Sequence, residues 1–291
     1  MLQSLIQKYL CRKKGRFYVA FIDFTKAFDS IPHKLLWHKL IDTGVHGKLL
    51  NVLRNMYSKL NSCVQSATGL TDSFPCSIGT RQGCMISPML FIIYIGELIE
   101  MLRSNGCKGI QVTGDIPAIN SLLYADDIAL CADSPGRLQN LLDMLSVFCK
   151  RWGLAINLNK SKIMVFRRGG ILKRCEKWYF NGKNVEVVSQ YKYLGVLFTT
   201  MLSWSSSQRN LAAQARKALA AIQNCQRKAG SVPYEIAKDI FHKAVVPVCT
   251  YGSEIWGNKL TLHRVNVYIQ HFVRTGWVCL NRQQIWRYMA N

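Results

Sequence analysis

The stretch Leu122-Leu123-Tyr124-Ala125-Asp126-Asp127-Ile128-Ala129-Leu130 constrains this chain most. Two adjacent carboxylates lie between apolar runs too short to be helices. Each run therefore reads as a buried strand, and Ala125-Asp126-Asp127 as the hairpin tip between them. Two neighbouring anions repel, and burying both would force a proton onto one. A hairpin tip leaves them at an edge, facing something positive. A divalent cation meets that need, because Mg²⁺ takes oxygen ligands, commonly one or two carboxylates plus substrate phosphates. Taken alone, an Asp-Asp turn bonding its own backbone is the plainer reading.

A second acid stands at the end of another apolar run. Phe17 to Ile22 reads as a central strand and stops at Asp23. Residues 24–29 turn into a short helix before Pro32, and helices are expected over 33–41 and 48–60, separated by Gly44 and Gly47. Short strands and turns fill 63–78. The polar loop Thr80-Arg81-Gln82-Gly83-Cys84 precedes a helix with Ser87 as its N-cap and Pro88 at its first position, ending at Asn105-Gly106. Ile110–Val112 reads as a strand. Ser134-Pro135 opens a helix whose stripe runs from Leu138 to Trp152. Leu154, Ile156 and Leu158 alternate as a strand, and Asn181-Gly182 marks a hairpin. Tyr191 to Phe198 reads as one strand, with Gly195 allowing a close approach. An Ala-rich basic helix spans 208–228, and another runs from Pro233 to about Val246, ended by Pro247.

The charge balance names the partner class. Lys and Arg total 38 against 16 Asp and Glu, a formal charge of +22. That excess calls for a polyanion, either nucleic acid or an anionic membrane. No basic amphipathic anchor stands out, and the longest apolar run, Met89 to Ile95, is too short to span a bilayer, so nucleic acid is preferred. The start of the chain lacks a signal-peptide layout. The 11 cysteines include no CxxC pair. They fit reduced, buried thiols such as Cys63, Cys131 and Cys249 in an intracellular protein, nuclear or cytoplasmic, and not a zinc site.

Asp23, the Arg81-Gln82-Gly83 loop and the Asp126-Asp127 hairpin form one constellation. Three such acids brought together can hold two divalent ions for an in-line phosphoryl displacement. In this arrangement the sequence resembles the reverse transcriptase of non-LTR (LINE-like) retrotransposons. Phe21 to Asp29 is similar to that family's first palm motif, and Gly79 to Pro88 to its second. Tyr124 to Asp127 resembles the catalytic box. Gly153 to Asn157 with Lys160 and Lys162 resembles the fourth motif, and Tyr193-Leu194-Gly195 the primer grip. The match runs in order from Phe17 to Phe198. Tyr251 to Trp256 is similar to a segment beyond the thumb, whereas 275–291 has no counterpart.

The resemblance implies an α+β fold: a right-hand polymerase palm, an antiparallel sheet with packed helices, followed by a helical thumb-like region. Residues 1–16 would be a basic remnant of the fingers, 17–200 the palm, and 201–291 the thumb-like C-terminal part. With so few residues before Phe17, most of the fingers are expected to be missing, by truncation or decay. The implied activity is RNA-directed DNA synthesis from an RNA template, a DNA primer and dNTPs. Asp23, Asp126 and Asp127 would hold two Mg²⁺ ions, or Mn²⁺ in their place. Phe28 would exclude a 2′-hydroxyl. Arg81, Gln82 and Gly83 would line the incoming nucleotide, and Lys160 or Lys162 would protonate the leaving pyrophosphate. Arg209, Arg216 and Lys217 would track the duplex backbone. A non-catalytic nucleic-acid-binding remnant and a group II intron maturase-like RNA-binding protein are the alternatives.

Overall fold

Phe17 to Ile22 are buried on both faces, so β1 (Arg16–Ile22) lies at the centre of a sheet. A strand covered on both sides has no polar face to show, which explains its unbroken apolar run. The computed structural model describes residues 1–12, 15–67, 69–112, 118–229 and 234–257. The chain divides into two units, Met1–Tyr191 and Lys192–Asn291.

In the first unit, α1 (Leu2–Leu10) precedes β1. After it come α2 (His33–Asp42), α3 (Gly47–Ser58) and four two-residue strands, β2 (Asn61–Ser62), β3 (Gln65–Ser66), β4 (Gly69–Leu70) and β5 (Phe74–Pro75). They are followed by α4 (Ser87–Ser104), β6 (Ser121–Tyr124), β7 (Asp127–Ala132), α5 (Pro135–Trp152) and β8 (Lys162–Arg167). β9 (Trp178–Phe180), β10 (Lys183–Val185) and β11 (Val187–Val188) complete the unit, and β12 (Gln190–Tyr193) leads out of it. The sheet order is β11-β8-β1-β7-β6. Every pairing is antiparallel except the edge, where β11 runs parallel to β8.

Tyr18, Ala20 and Ile22 point into a core shared with α2, α3, α4 and α5. On the opposite face, Tyr9 of α1 meets Phe17 with ring centroids 5.2 Å apart, and Tyr191 stacks on Phe21 at 4.5 Å. α1 is amphipathic and buries Leu2, Leu5, Ile6, Tyr9 and Leu10, so the expected lead-in is an ordered helix.

The second unit holds β13 (Val196–Thr199), α6 (Ser205–Ala229), α7 (Tyr234–Ala244), α8 (Val246–Thr250) and α9 (Ser253–Trp256). Ala215, Phe241, Val245 and Cys249 form its own small core. No described helix is long and apolar enough to cross a membrane.

Several sequence expectations are corrected. Tyr191 to Phe198 is not one strand but a hairpin, with Leu194 (φ 46°) and Gly195 (φ 80°) at its turn. Leu154 to Leu158 is no strand; Ile156 makes a single bridge to Phe24. Ile110 likewise makes only an isolated bridge, to Ile119. Ser87 lies inside its helix, after the N-cap Ile86, and its hydroxyl donates to the Arg81 carbonyl. Pro247 does not end a helix; it lies in the first turn of α8. Cys63 is exposed, whereas Cys131 and Cys249 are buried. Residues 275–291 lie outside the described residues.

Candidate active site

The β1–β7 register pairs Ile22 with Ile128, and one further step brings Asp23 opposite Asp127. The ladder itself stops at Ile22, one residue short of Asp23, yet it carries two acids far apart in sequence to the same sheet end. Tyr124 pairs with Asp127, leaving Ala125 and Asp126 as a two-residue turn. Ala125 sits at φ 50°, in the left-handed region at a loop position that favours glycine. Such strain costs roughly 1–3 kcal/mol and persists only where the surroundings impose it. Burial first, then the Asp126 carboxylate and then Asp23, push the Asp127 carboxyl above the usual aspartate value.

Residues 155–161 hold Asp23 in place. Its carbonyl accepts from the Asn157 N–H at 2.8 Å, and its own N–H donates to the Ser161 hydroxyl at 3.0 Å. Next to it, the Thr25 N–H donates to the Ala155 carbonyl at 2.7 Å. The turn that follows Asn157 carries Lys160, whose Nζ stands 3.8 Å from Asp23 Oδ2 on an otherwise exposed side chain. Lys162 is engaged elsewhere, 2.6 Å from Glu186 Oε2.

Residues 28–33 and 79–87 are tied to each other. The Phe28 carbonyl accepts from the Thr80 N–H at 2.7 Å, and the Ile31 carbonyl from the Gly79 N–H at 2.8 Å. Gly79 sits at φ 88°, and a Cβ there would fall 3.0 Å from the Asp29 backbone, so only glycine allows this approach. Gln82 Nε2 donates to Asp29 Oδ1 at 2.8 Å. The Phe28 ring lies 5.0 Å from Phe91 and is half-buried. Arg81, Gln82 and Gly83 are exposed around the left-handed Gly83.

The remaining expected residues belong to the second unit. Tyr193 is buried and Leu194-Gly195 form the hairpin turn. Tyr251 clamps that turn: its hydroxyl donates to the Leu194 carbonyl at 3.0 Å. A Cβ on Gly195 would come within 2.6 Å of its ring. Arg209, Arg216 and Lys217 are exposed on α6.

Tyr191 was missed by sequence reasoning. Burial first, then the fields of Asp127 and Asp23, raise its phenol above the usual tyrosine value. Its ring stacks on Phe21, two residues before Asp23. Its only sequence signal is an aromatic two residues before Tyr193, on the same face of a strand. Among the described residues, no three His, Cys, Asp or Glu side chains are gathered to ligate one ion on their own. The donor chemistry is nonetheless that of a hard cation: carboxylates whose repulsion a positive charge would relieve.

A family model described as reverse transcriptase (RNA-dependent DNA polymerase) matches residues 1–198. The retrovirus-related Pol polyprotein from type-2 retrotransposable element R2DM of Drosophila melanogaster is 28% identical over 190 residues, covering 62% of this chain and 18% of that protein. The RNA-directed DNA polymerase from mobile element jockey of Drosophila funebris is 23% identical over 250 residues, covering 84% of this chain and 26% of that protein. The chain spans less than a third of the length of these curated relatives. Among solved structures, a telomerase from Candida albicans in complex with a fragment of telomeric RNA matches 99% of this chain and 46% of that one, at 12% identity and a TM-score of 0.49.

Proposed function

The chain belongs to the reverse transcriptase (RNA-dependent DNA polymerase) family, and from that premise we propose that it extends a DNA primer on an RNA template, using dNTPs. The observation that carries this reading is the crowding of Asp127 by Asp126 and Asp23 at one end of the sheet. Repelling carboxylates at an open edge store affinity for a cation. The family's chemistry depends on divalent metal. Asp23, Asp126 and Asp127 would hold two Mg²⁺ ions. When bound, such ions lower the pKa of a hydroxyl and neutralise phosphate charge.

The remaining roles fall to the chain. The primer 3′-hydroxyl, giving up its proton to solvent, attacks the α-phosphorus, and the new P–O bond forms as the bond to pyrophosphate breaks. Lys160, beside Asp23 and otherwise exposed, donates a proton to the departing pyrophosphate. Lys162 is the weaker candidate, since Glu186 already holds its ammonium. Phe28, backed by Phe91, takes the position under the sugar that disfavours a 2′-hydroxyl. Arg81, Gln82 and Gly83 line the nucleotide, with Gln82 oriented through Asp29. Tyr193 to Gly195 hold the primer end, and Arg209, Arg216 and Lys217 contact duplex phosphates.

Primer extension on poly(rA)/oligo(dT) with Mg²⁺ tests the reading. Incorporation by the parent chain, lost in Asp126→Ala, supports it. Salt-sensitive duplex binding without any incorporation would sink it.

A further inference from the structure

The sheet end opposite the carboxylates carries the reverse charge. The register that pairs Phe21 with Lys162 near the acids pairs Arg16 with Arg167 at the far end. Seven residues of strand separate that end from Asp23, about 23 Å at ~3.3 Å per residue. A groove opens there, lined by Arg12, Arg16, Arg167, Arg168 and Lys173 around the Gly169-Gly170 turn. Lys173 also borders an adjoining groove that adds Arg174, Lys177 and the exposed ring of Tyr179.

This wall is fixed, not a loose basic loop. Glu176 is buried and takes Arg16 through both oxygens, at 2.5 and 2.7 Å. It also accepts from the Tyr18 hydroxyl at 3.0 Å and from the Lys173 N–H at 2.7 Å. Arg16 further donates to the Ile171 carbonyl at 3.1 Å, and Arg167 Nε to the Gly170 carbonyl at 2.8 Å. The 167–176 segment is thereby pinned to the start of β1. Glu176 cancels Arg16 and no more. Among the described residues, Arg12, Arg168, Lys173, Arg174 and Lys177 have no carboxylate partner. Arg12 lies over the Tyr9 ring at 4.3 Å, which cancels none of its charge. A hydrogen-bonded frame that gathers cations without counter-charges works against its own charge repulsion unless an anion joins it.

The ligand class follows from the composition. Several cations along one groove suit several phosphates, side-chain-free Gly169 and Gly170 leave room for a backbone close to the wall, and the exposed ring of Tyr179 offers a base a stacking surface. A cationic groove with an aromatic platform is the pattern for single strands, whose bases are free to stack. We propose that this groove binds a single-stranded segment of nucleic acid, at the end of the sheet away from Asp23, Asp126 and Asp127. The proposal shares the nucleic-acid partner of the polymerase reading and none of its residues.

Fluorescence anisotropy of the full chain with a labelled U-rich RNA oligonucleotide, and with DNA of the same sequence, tests it. The variant R168E/K173E should bind at least about tenfold more weakly, with a salt slope smaller by about 1.4 for two lost contacts. Tyr179→Ala should bind about fivefold or more weakly, with the slope unchanged. Equal losses for RNA and DNA support a phosphate-and-stacking site; losses confined to RNA support one that also reads the 2′-hydroxyl. Unchanged affinity and slope in R168E/K173E, with circular dichroism intact, overturns the proposal. A chain that binds through this groove but never extends a primer fails the polymerase reading alone. A chain that extends primers while R168E/K173E binds normally fails the groove alone.

Discussion

Glu176 and Asp127 are carboxylates on the same sheet unit with opposite histories. Burial works to raise both. At Glu176 the Lys173 N–H, the Arg16 guanidinium and the Tyr18 hydroxyl outweigh it, and the carboxyl lies below the usual glutamate value. At Asp127 nothing compensates, since Asp126 and Asp23 add to the rise. The difference separates two uses of a negative charge. A carboxylate surrounded by donors is a strut, whose anion is needed for the fold. A carboxylate surrounded by acids weakens the fold where it stands, and the proposed cation would relieve that repulsion.

Substitutions at the two positions should therefore diverge. Asp127→Asn should lower primer extension at least about 10³-fold, several kcal/mol of transition-state stabilisation. Its urea midpoint should hold or rise, because a repulsive charge has gone. A clear fall in the midpoint would break the comparison. Glu176→Gln leaves Arg16 without its counter-charge and should cost about 3 kcal/mol of stability, the scale for breaking a buried pair. Extension per folded molecule should survive. Equilibrium urea unfolding together with single-turnover extension reads both quantities.

The pH dependence should carry opposite signs. The folded chain keeps a proton on Asp127 that the unfolded chain has released, between the ordinary 3.8 and the raised folded value. Through that window stability falls as pH rises. Glu176 is lowered, so its contribution is complete above the ordinary 4.5 and lost as pH drops through its folded value. Unfolding from about pH 3 to pH 7 should show the first trend vanish in Asp127→Asn and the second in Glu176→Gln. Matching pH profiles for the two variants would contradict the assignment. The smallest effect is a neutral control. Tyr251→Phe removes only the hydroxyl bond to the Leu194 carbonyl, about 1 kcal/mol, and this loss should be the same at every pH in that range.

Much of this was legible in the sequence because it is local. Adjacent acids between short apolar runs gave the hairpin, and Asn181 and Gly182, both at positive φ, form the expected turn between β9 and β10. Ser134 caps α5 by accepting from the Arg137 N–H, as its position before Pro135 suggested. The errors share one origin. Leu154, Ile156 and Leu158 alternate like a strand, yet the backbone between them, at Ala155 and Asn157, is used to hold Thr25 and Asp23. Leu194 adopts a left-handed turn that a leucine does not advertise, so one apparent strand was really two. Ser87 has the composition of a cap, but its hydroxyl is spent on the Arg81 carbonyl.

The sequence by itself determined the family, the central strand, the Tyr124–Asp127 hairpin, the presence of the acids and the excess of positive charge. These depend on residue type and short-range periodicity, which one chain displays in full. Only the tertiary structure decided which charges meet. Antiparallel pairing brings Asp23 to Asp127 and, at the other end of the same strands, Arg16 to Arg167. It also assigns Glu176 to Arg16, Lys160 to Asp23 and Lys162 to Glu186. Electrostatic interaction falls with distance in space, not in sequence, so whether a charge supports the fold or awaits a ligand is settled only when its neighbours are.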